Sequence, residues 1–402
     1  MSSSRVAARV QRIKTSPSSA AADRAAELRR QGRLIVNLAI GEPDFPTPAH
    51  IRRAAADAME RGETRYTQTA GSLALRTAIA VKLREENGLA YEPKQVIVTC
   101  GAKHAIFNAL AVTVEPDDEV LIPAPYWVSY PDMVLACEGK PVVLRCDEAD
   151  GFKLTAQTLE AAITARTRWL ILNSPNNPTG ASYSADELRA LADVLVRHPH
   201  VLILTDDIYE HIRFDDQGNP HIVAIEPSLS ERTIVVNGMS KTYAMTGWRI
   251  GYAAGPADLI AAMDTLQSQS TSCASSVSQA AALAALEGDQ SSLAESLAIY
   301  RARRDRGLDL LNAVPGLSCR MPGGAFYLFV NCGGLIGKQT PGGKRIASDI
   351  DVVFYFLEAA GVVLVAGSAY GASPYFRMSI ATSIEVIEEG CRKIAAAVKE
   401  LS

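Results

Sequence analysis

Residues 237–252 read NGMSKTYAMTGWRIGY and place the amine of Lys241 among Met, Trp, Ile and Tyr. Ser240 precedes it, and the guanidinium of Arg249 follows eight residues later. Two cations in so apolar a run are costly unless an anion or a covalent bond accounts for them. A bound phosphate beside a lysine that forms an imine satisfies both. An amine that has lost part of its solvation deprotonates more readily and becomes a nucleophile. Ser240 and Arg249 are both phosphate-binding types, the arginine through its two-pronged fork.

Other reactive groups stand at the ends of apolar runs. Asp206 closes VLILTDD, with Asp207 beside it as a competitor. A carboxylate there suits a partner that must stay cationic, since unit charges 4 Å apart attract by about 4 kcal/mol at an effective dielectric near 20. Gly101-Ala102-Lys103 opens a helical pattern after VIVTC, where glycine and free N–H groups favour a phosphate. PYW, NSPNNPTG and Tyr209 occupy comparable positions. Taken singly, each also fits a plainer role: a surface lysine, a loop carboxylate, a tight turn, a core tryptophan.

The elements that must position them follow from the apolar pattern. Strands are expected at 96–100, 119–125, 141–146, 168–175, 201–209, 233–240 and 249–255. Helical patterns lie between them; that at 184–198 begins with a Ser184/Glu187 capping box. Continuous Val, Ile and Leu runs imply an α/β fold, a mostly parallel sheet between helix layers. Ligands then bind at the carboxyl ends of the strands. After about 290 a long charged helix, the strand candidates AFYLFV, VVLVAG and FRMSIA, and a closing helix suggest a smaller α+β domain. The expected division is 1–48 as an N-terminal segment belonging with the small domain, 49–290 as the large domain and 291–402 as the small one.

Composition removes several function classes. The net charge of -4 over 402 residues gives no electrostatic footprint for nucleic acid. Seven scattered cysteines without a C-x-x-C pair argue against a disulfide framework or a zinc site, and suggest a reducing compartment. No run reaches the ~18 apolar residues of a membrane helix, so a cytoplasmic enzyme is expected. G-x-G-x-x-G, P-loop, H-E-x-x-H and G-x-S-x-G motifs are all missing. His198 and His200 read as a solvated helix end rather than metal ligands.

SPNNPTG, TDDIYE, NGMSKTYAMTGWRIGY and FRMSIA, with GEPDF, RYTQTAG and PYWVSYP, occur in an order that resembles the class I, fold type I aminotransferases, nearest to the bacterial aspartate aminotransferase branch. The likeness runs from about residue 9 to 400. It implies pyridoxal 5'-phosphate as cofactor, held covalently by Lys241, which then serves as base and acid in a proton shift. It implies that Asp206 pairs with the ring nitrogen, and that Asn177 and Tyr209 bind the ring's phenolic oxygen. Trp127 stacks on the ring. Gly101, Ala102, Lys103, Ser240 and Arg249 gather the phosphate, Lys103 mainly through its backbone N–H. Tyr66 reaches the phosphate of another subunit, implying a homodimer with a shared site. Arg377 and the N–H of Gly41 clamp the substrate α-carboxylate, with Trp127 and Asn177 nearby. Lys14 binds a distal carboxylate.

Some positions depart from the family pattern. Asp207 stands where Glu is common, His104 where Gln is usual, and Thr15 and Ser18 where Pro and Thr are commoner. The resemblance implies amino transfer between an L-amino acid and a 2-oxo acid, with aspartate and 2-oxoglutarate first. Aromatic, prephenate or aliphatic substrates, or C–S lyase chemistry, remain alternatives. A regulatory module of the same fold would need an appended DNA-binding element, which the sequence does not supply.

Overall fold

Runs such as VIVT, EVLIPA and TRWLILN have no polar face and need cover on both sides. The computed structural model describes residues 5–13, 18–215 and 218–402. Its strands in chain order are β1 (Val36–Asn37), β2 (Val96–Thr99), β3 (Glu119–Ala124), β4 (Lys140–Arg145), β5 (Thr167–Asn173), β6 (Leu202–Asp206), β7 (Thr233–Gly238) and β8 (Gly251–Ala254). There follow β9 (Ser318–Cys319), β10 (Tyr327–Asn331), β11 (Val362–Val363), β12 (Val365–Ala366) and β13 (Tyr375–Ser379).

β2 to β8 form one seven-stranded sheet in the order β2-β8-β7-β6-β5-β3-β4. All neighbours are parallel except β8, which runs against both β2 and β7. The fold is thus α/β with a mostly parallel sheet between helices. Period-2 alternation sends side chains to two cores. Val98, Leu121, Leu170 and Ile203 enter one. Ile97, Val120, Trp169 and Leu204 enter the other.

The observed strands differ from the expected bounds by a residue or two in most cases, and three differences have a clear local cause. β6 stops at Asp206 because the chain turns there, the Glu210 N–H reaching back to the Asp207 carbonyl at 2.9 Å. β7 stops at Gly238 and passes into a helical turn, Met239–Thr242. Residues 362–367 split in two: β11 pairs in parallel with β1, whereas β12 pairs with β13. The direction of β8 is also new. Residues 239–250 form two short helical turns instead of a crossover helix, so β8 returns antiparallel.

A second sheet, β12-β13-β10-β9, has its own core with the helices Ser291–Asn312 and Ile384–Lys399. The β1–β11 pairing ties residues 36–37 to this part of the chain.

Helix Ala185–Arg197 carries the capping box foreseen for it. Ser184 Oγ accepts from the Glu187 N–H at 3.3 Å, and Glu187 Oε2 accepts from the Ser184 N–H at 2.8 Å. Ser184→Ala is expected to cost about 1 kcal/mol. Urea unfolding should show a lower midpoint at unchanged slope.

Candidate active site

Where β2, β5, β6 and β7 end, their C-terminal edge opens into a cleft of about 990 Å³. Ala102, Lys103, Trp127, Asn177, Asp206, Tyr209, Ser240, Lys241 and Arg249 line it from the large sheet. Gly41 and Arg377 line it from the N-terminal segment and β13.

Lys241 sits in the helical turn after β7, and its ammonium donates to the Gly41 carbonyl. Burial, then the nearby charge of Arg377, pulls its pKa down to about 8. Above that pH the amine is mostly neutral, the form a base or nucleophile needs.

Asp206 ends β6 and is buried. Its Oδ2 accepts from the Tyr130 hydroxyl at 2.6 Å, and its Oδ1 from the Ile208 N–H at 3.4 Å. Burial lifts its pKa to about 6, Tyr130 opposing and Asp207 adding. Among the described residues no cation makes an ion pair with it. A cationic partner in the cleft would hold it ionised.

The start of helix Ala102–Ala111 forms an anion cradle. Gly101 has φ +89°, and a Cβ there would lie 2.4 Å from Arg249 Nη2. A Cβ on Gly251 would lie 2.3 Å from the Ala102 nitrogen. The two glycines therefore let the guanidinium and β8 press against the helix N-terminus, where N–H groups and dipole attract anions. Arg249 is aimed by its own bonds to the carbonyls of Thr246 at 2.7 Å and Cys100 at 3.2 Å. Ser240 is buried beside it. The Lys103 ammonium lies 4.8 Å over the Trp127 ring, so this side chain supports the aromatic wall. Trp127 packs edge-on against Tyr130 at 5.4 Å.

Arg377 is the buried cation opposite. Nη1 donates to Asn177 Oδ1 at 3.0 Å and Nη2 to the Ala39 carbonyl at 2.8 Å. Its Nε is buried with no partner among the described residues. The guanidinium lies 4.2 Å from the Tyr327 ring centroid, and the Tyr327 hydroxyl meets that of Tyr209 at 2.9 Å. A Cβ on Gly41 would come within 3.2 Å of the Tyr327 hydroxyl, a tight approach that this side chain would have to yield to by a few tenths of an ångström. A buried guanidinium fork with an unused donor suits a carboxylate.

Not every candidate joins the cleft. Tyr66 is 88% exposed and does not line it. Lys14 and Thr15 lie outside the described residues. Asp207 faces away, accepting from Thr205 Oγ1 at 3.1 Å near His221. His104 lines the cleft, its Nδ1 accepting from the Cys100 N–H at 3.3 Å. His198 and His200 bind Glu160 and the Thr164 carbonyl.

Tyr130, Tyr327 and Tyr370 were not singled out from the sequence, although all three touch the site. Tyr130 and Tyr327 sit in mostly apolar runs, where an aromatic residue reads as packing, and Tyr370 sits in the turn-like stretch GSAYGASP. The one signal was the spacing of Trp127 and Tyr130 in PYWVSY, three apart as on a helix face.

Residues 33–394 match the model of the family described as aminotransferase class I and II. The chain is 54% identical over 379 residues to the aspartate aminotransferase of Rhizobium meliloti strain 1021, covering 94% of this chain and 92% of that protein. It is 50% identical over 391 residues to the aspartate/prephenate aminotransferase of Cereibacter sphaeroides, covering 97% and 98%. The crystal structure of a Rhizobium meliloti aspartate aminotransferase superposes with a TM-score of 0.98 at 52% identity, covering 100% of both chains.

Proposed function

Because this chain belongs to the class I and II aminotransferase family, we propose that it moves the amino group of L-aspartate to 2-oxoglutarate with pyridoxal 5'-phosphate, as a homodimer. The observation that carries the reading is the joint placement of Lys241, Asp206 and the Gly101–Arg249 cradle around one cleft. The residues fit the cofactor: a depressed amine for its aldehyde, a carboxylate without a cation for its ring nitrogen, and a cradle for its phosphate. When bound, the cofactor supplies an electron-withdrawing ring that makes the substrate Cα–H acidic.

The chain's own residues do the rest. Lys241, neutral above about pH 8, takes the proton from the donor's Cα and returns it on the other side of the transfer. Asp206 would keep the ring nitrogen protonated, and the Tyr130 hydroxyl fixes that carboxylate. Asn177 and Tyr209 would bind the ring oxygen, and Trp127 would cover the ring. Gly101, Ala102, Lys103, Ser240 and Arg249 would hold the phosphate. Arg377, with Gly41, grips the donor's α-carboxylate through its fork.

The relatives' names support aspartate as donor and prephenate as a second partner. Lys14 is assigned the distal carboxylate by the resemblance. Exposed Tyr66 is assigned to the partner's phosphate, which makes the site complete only in the dimer. Residues 49–290 are read as the large domain, and 1–48 with 291–402 as the small one. No helix of the described residues is long and apolar enough to cross a membrane, and the described cysteines are free. A cytoplasmic location accords with both.

The test is a donor panel of aspartate, phenylalanine, tyrosine, alanine and cystathionine with 2-oxoglutarate, and prephenate as alternative acceptor. A yellow protein should change its visible absorbance with aspartate and form glutamate fastest from it. Pyruvate and ammonia from cystathionine, without transamination, would overturn the assignment in favour of a lyase.

A further inference from the structure

Behind the cleft lining, a buried cluster joins three separate stretches of chain, 82–87, 210–211 and 237–242. Glu210 Oε1 accepts from Asn237 Nδ2 at 2.6 Å and from the Lys82 ammonium, while Oε2 accepts from Asn87 Nδ2 at 2.7 Å. Lys82 also donates to Asn87 Oδ1 at 2.8 Å and lies 3.5 Å from Glu86. His211 stands between Glu86, at 2.9 Å from Nε2, and Thr242 Oγ1, at 3.3 Å from Nδ1. Glu86, Glu210 and His211 could be grouped as metal ligands by distance. The Lys82 ammonium already supplies the cation there, so the cluster is a buried ion pair.

The cluster flanks Lys241 on both sides in sequence. Asn237, held by Glu210, accepts from the Gly238 N–H at 2.7 Å, immediately before the Met239–Thr242 turn. Thr242, held by His211, is the residue after Lys241. Glu210 follows Tyr209, which faces the cleft. One carboxylate and its neighbour thus fasten the loop after β6 to both ends of the lysine turn. Burial pushes Glu210 up, but the charges of Lys82 and His211 outweigh it and hold the carboxyl at about 2, so it stays ionised. Fully bonded buried networks of this kind are rigid and demanding in geometry.

We infer that Glu210, with Lys82, Asn87, Asn237 and the His211–Thr242 contact, is a positioning device that fixes the Lys241 turn against the loop carrying Asp206 and Tyr209. None of these groups needs to touch substrate. Displacing the amine by a fraction of an ångström would slow proton transfer without altering how Arg377 grips the carboxylate. The inference rests on the reading of Lys241 as the reacting amine.

The experiment uses the holoenzyme. Glu210→Gln keeps the shape but removes the charge paired with Lys82 and turns one amide donor toward either Asn87 or the Lys82 and Asn237 donors. Its kcat with aspartate is expected to fall about tenfold or more while KM stays within about twofold. Amide hydrogen exchange over 238–243 should rise while exchange in β3 and β5 stays at the wild-type level. Thr242→Val leaves the ion pair intact, removes the second tie, and should lower kcat about threefold with the same local exchange signature. If Glu210→Gln does not fold, Thr242→Val decides alone. Unchanged kcat, or exchange raised equally across the whole sheet, overturns the inference. Failure of the lysine assignment would appear instead as turnover surviving in Lys241→Ala, and the exchange measurement is independent of it.

Discussion

Replacing Lys241 with alanine is expected to lower turnover by on the order of 10⁴-fold, the upper range for a positioned proton-transfer group. The fold should survive, because the side chain lines the open cleft and meets the Gly41 carbonyl there. Reduction with borohydride followed by mass spectrometry gives a second readout. The wild-type peptide bearing residue 241 should carry the cofactor's mass, and the variant should carry none. The depressed pKa adds a sign. The amine is protonated below about pH 8 and neutral above it, so the cofactor-free wild type should react faster with a small electrophile as pH rises through 8. An alanine variant that still holds cofactor covalently would remove the basis of the mechanism.

Arg377→Met is the second large effect. Two hydrogen bonds from a charged fork, each contributing about 1.5–3 kcal/mol, would be lost to the donor's carboxylate. The expected fall in kcat/KM for aspartate is roughly 10²–10⁴-fold, carried mainly by KM. Lysine at 377 should restore little, because one compact ammonium cannot reproduce the fork. The same change should raise the Lys241 pKa, since Arg377 is the largest charge depressing it. A KM for aspartate within about twofold of wild type would place the carboxylate elsewhere.

Much of the sheet could be read from the chain because its strands are buried on both faces and announce themselves as apolar runs. The groups that gather at the cleft were legible for the complementary reason. Lys241, Asp206 and Asn177 are polar exceptions at the ends of such runs, where a parallel sheet has to leave an opening. The direction of β8 was hidden, since an apolar run looks the same in either sense. Tyr130 and Tyr327 were hidden as well. Their rings are what a core needs, and only the tertiary arrangement shows that one hydroxyl meets Asp206 and the other Tyr209. Lys103 was read as a backbone donor, and no sequence pattern indicated that its ammonium would rest over Trp127. The Glu210 cluster draws on positions 82, 87, 210 and 237, and no local pattern links residues so far apart.

Lys241 and Asp206 ride on the seven-stranded sheet, whereas Arg377 rides on β13 of the four-stranded one. Every α-amino acid carries the same two handles, a carboxylate and an amine, and would span these two frameworks in the same way whatever its side chain. The spacing of the sheets is then a gauge of backbone alone. Discrimination among donors would then fall to Lys14, as proposed, and to the side chains of Ile13, Phe107 and Val128, which line the cleft. Appetite for a new amino acid could therefore be altered at these positions while the bond-making apparatus stays untouched.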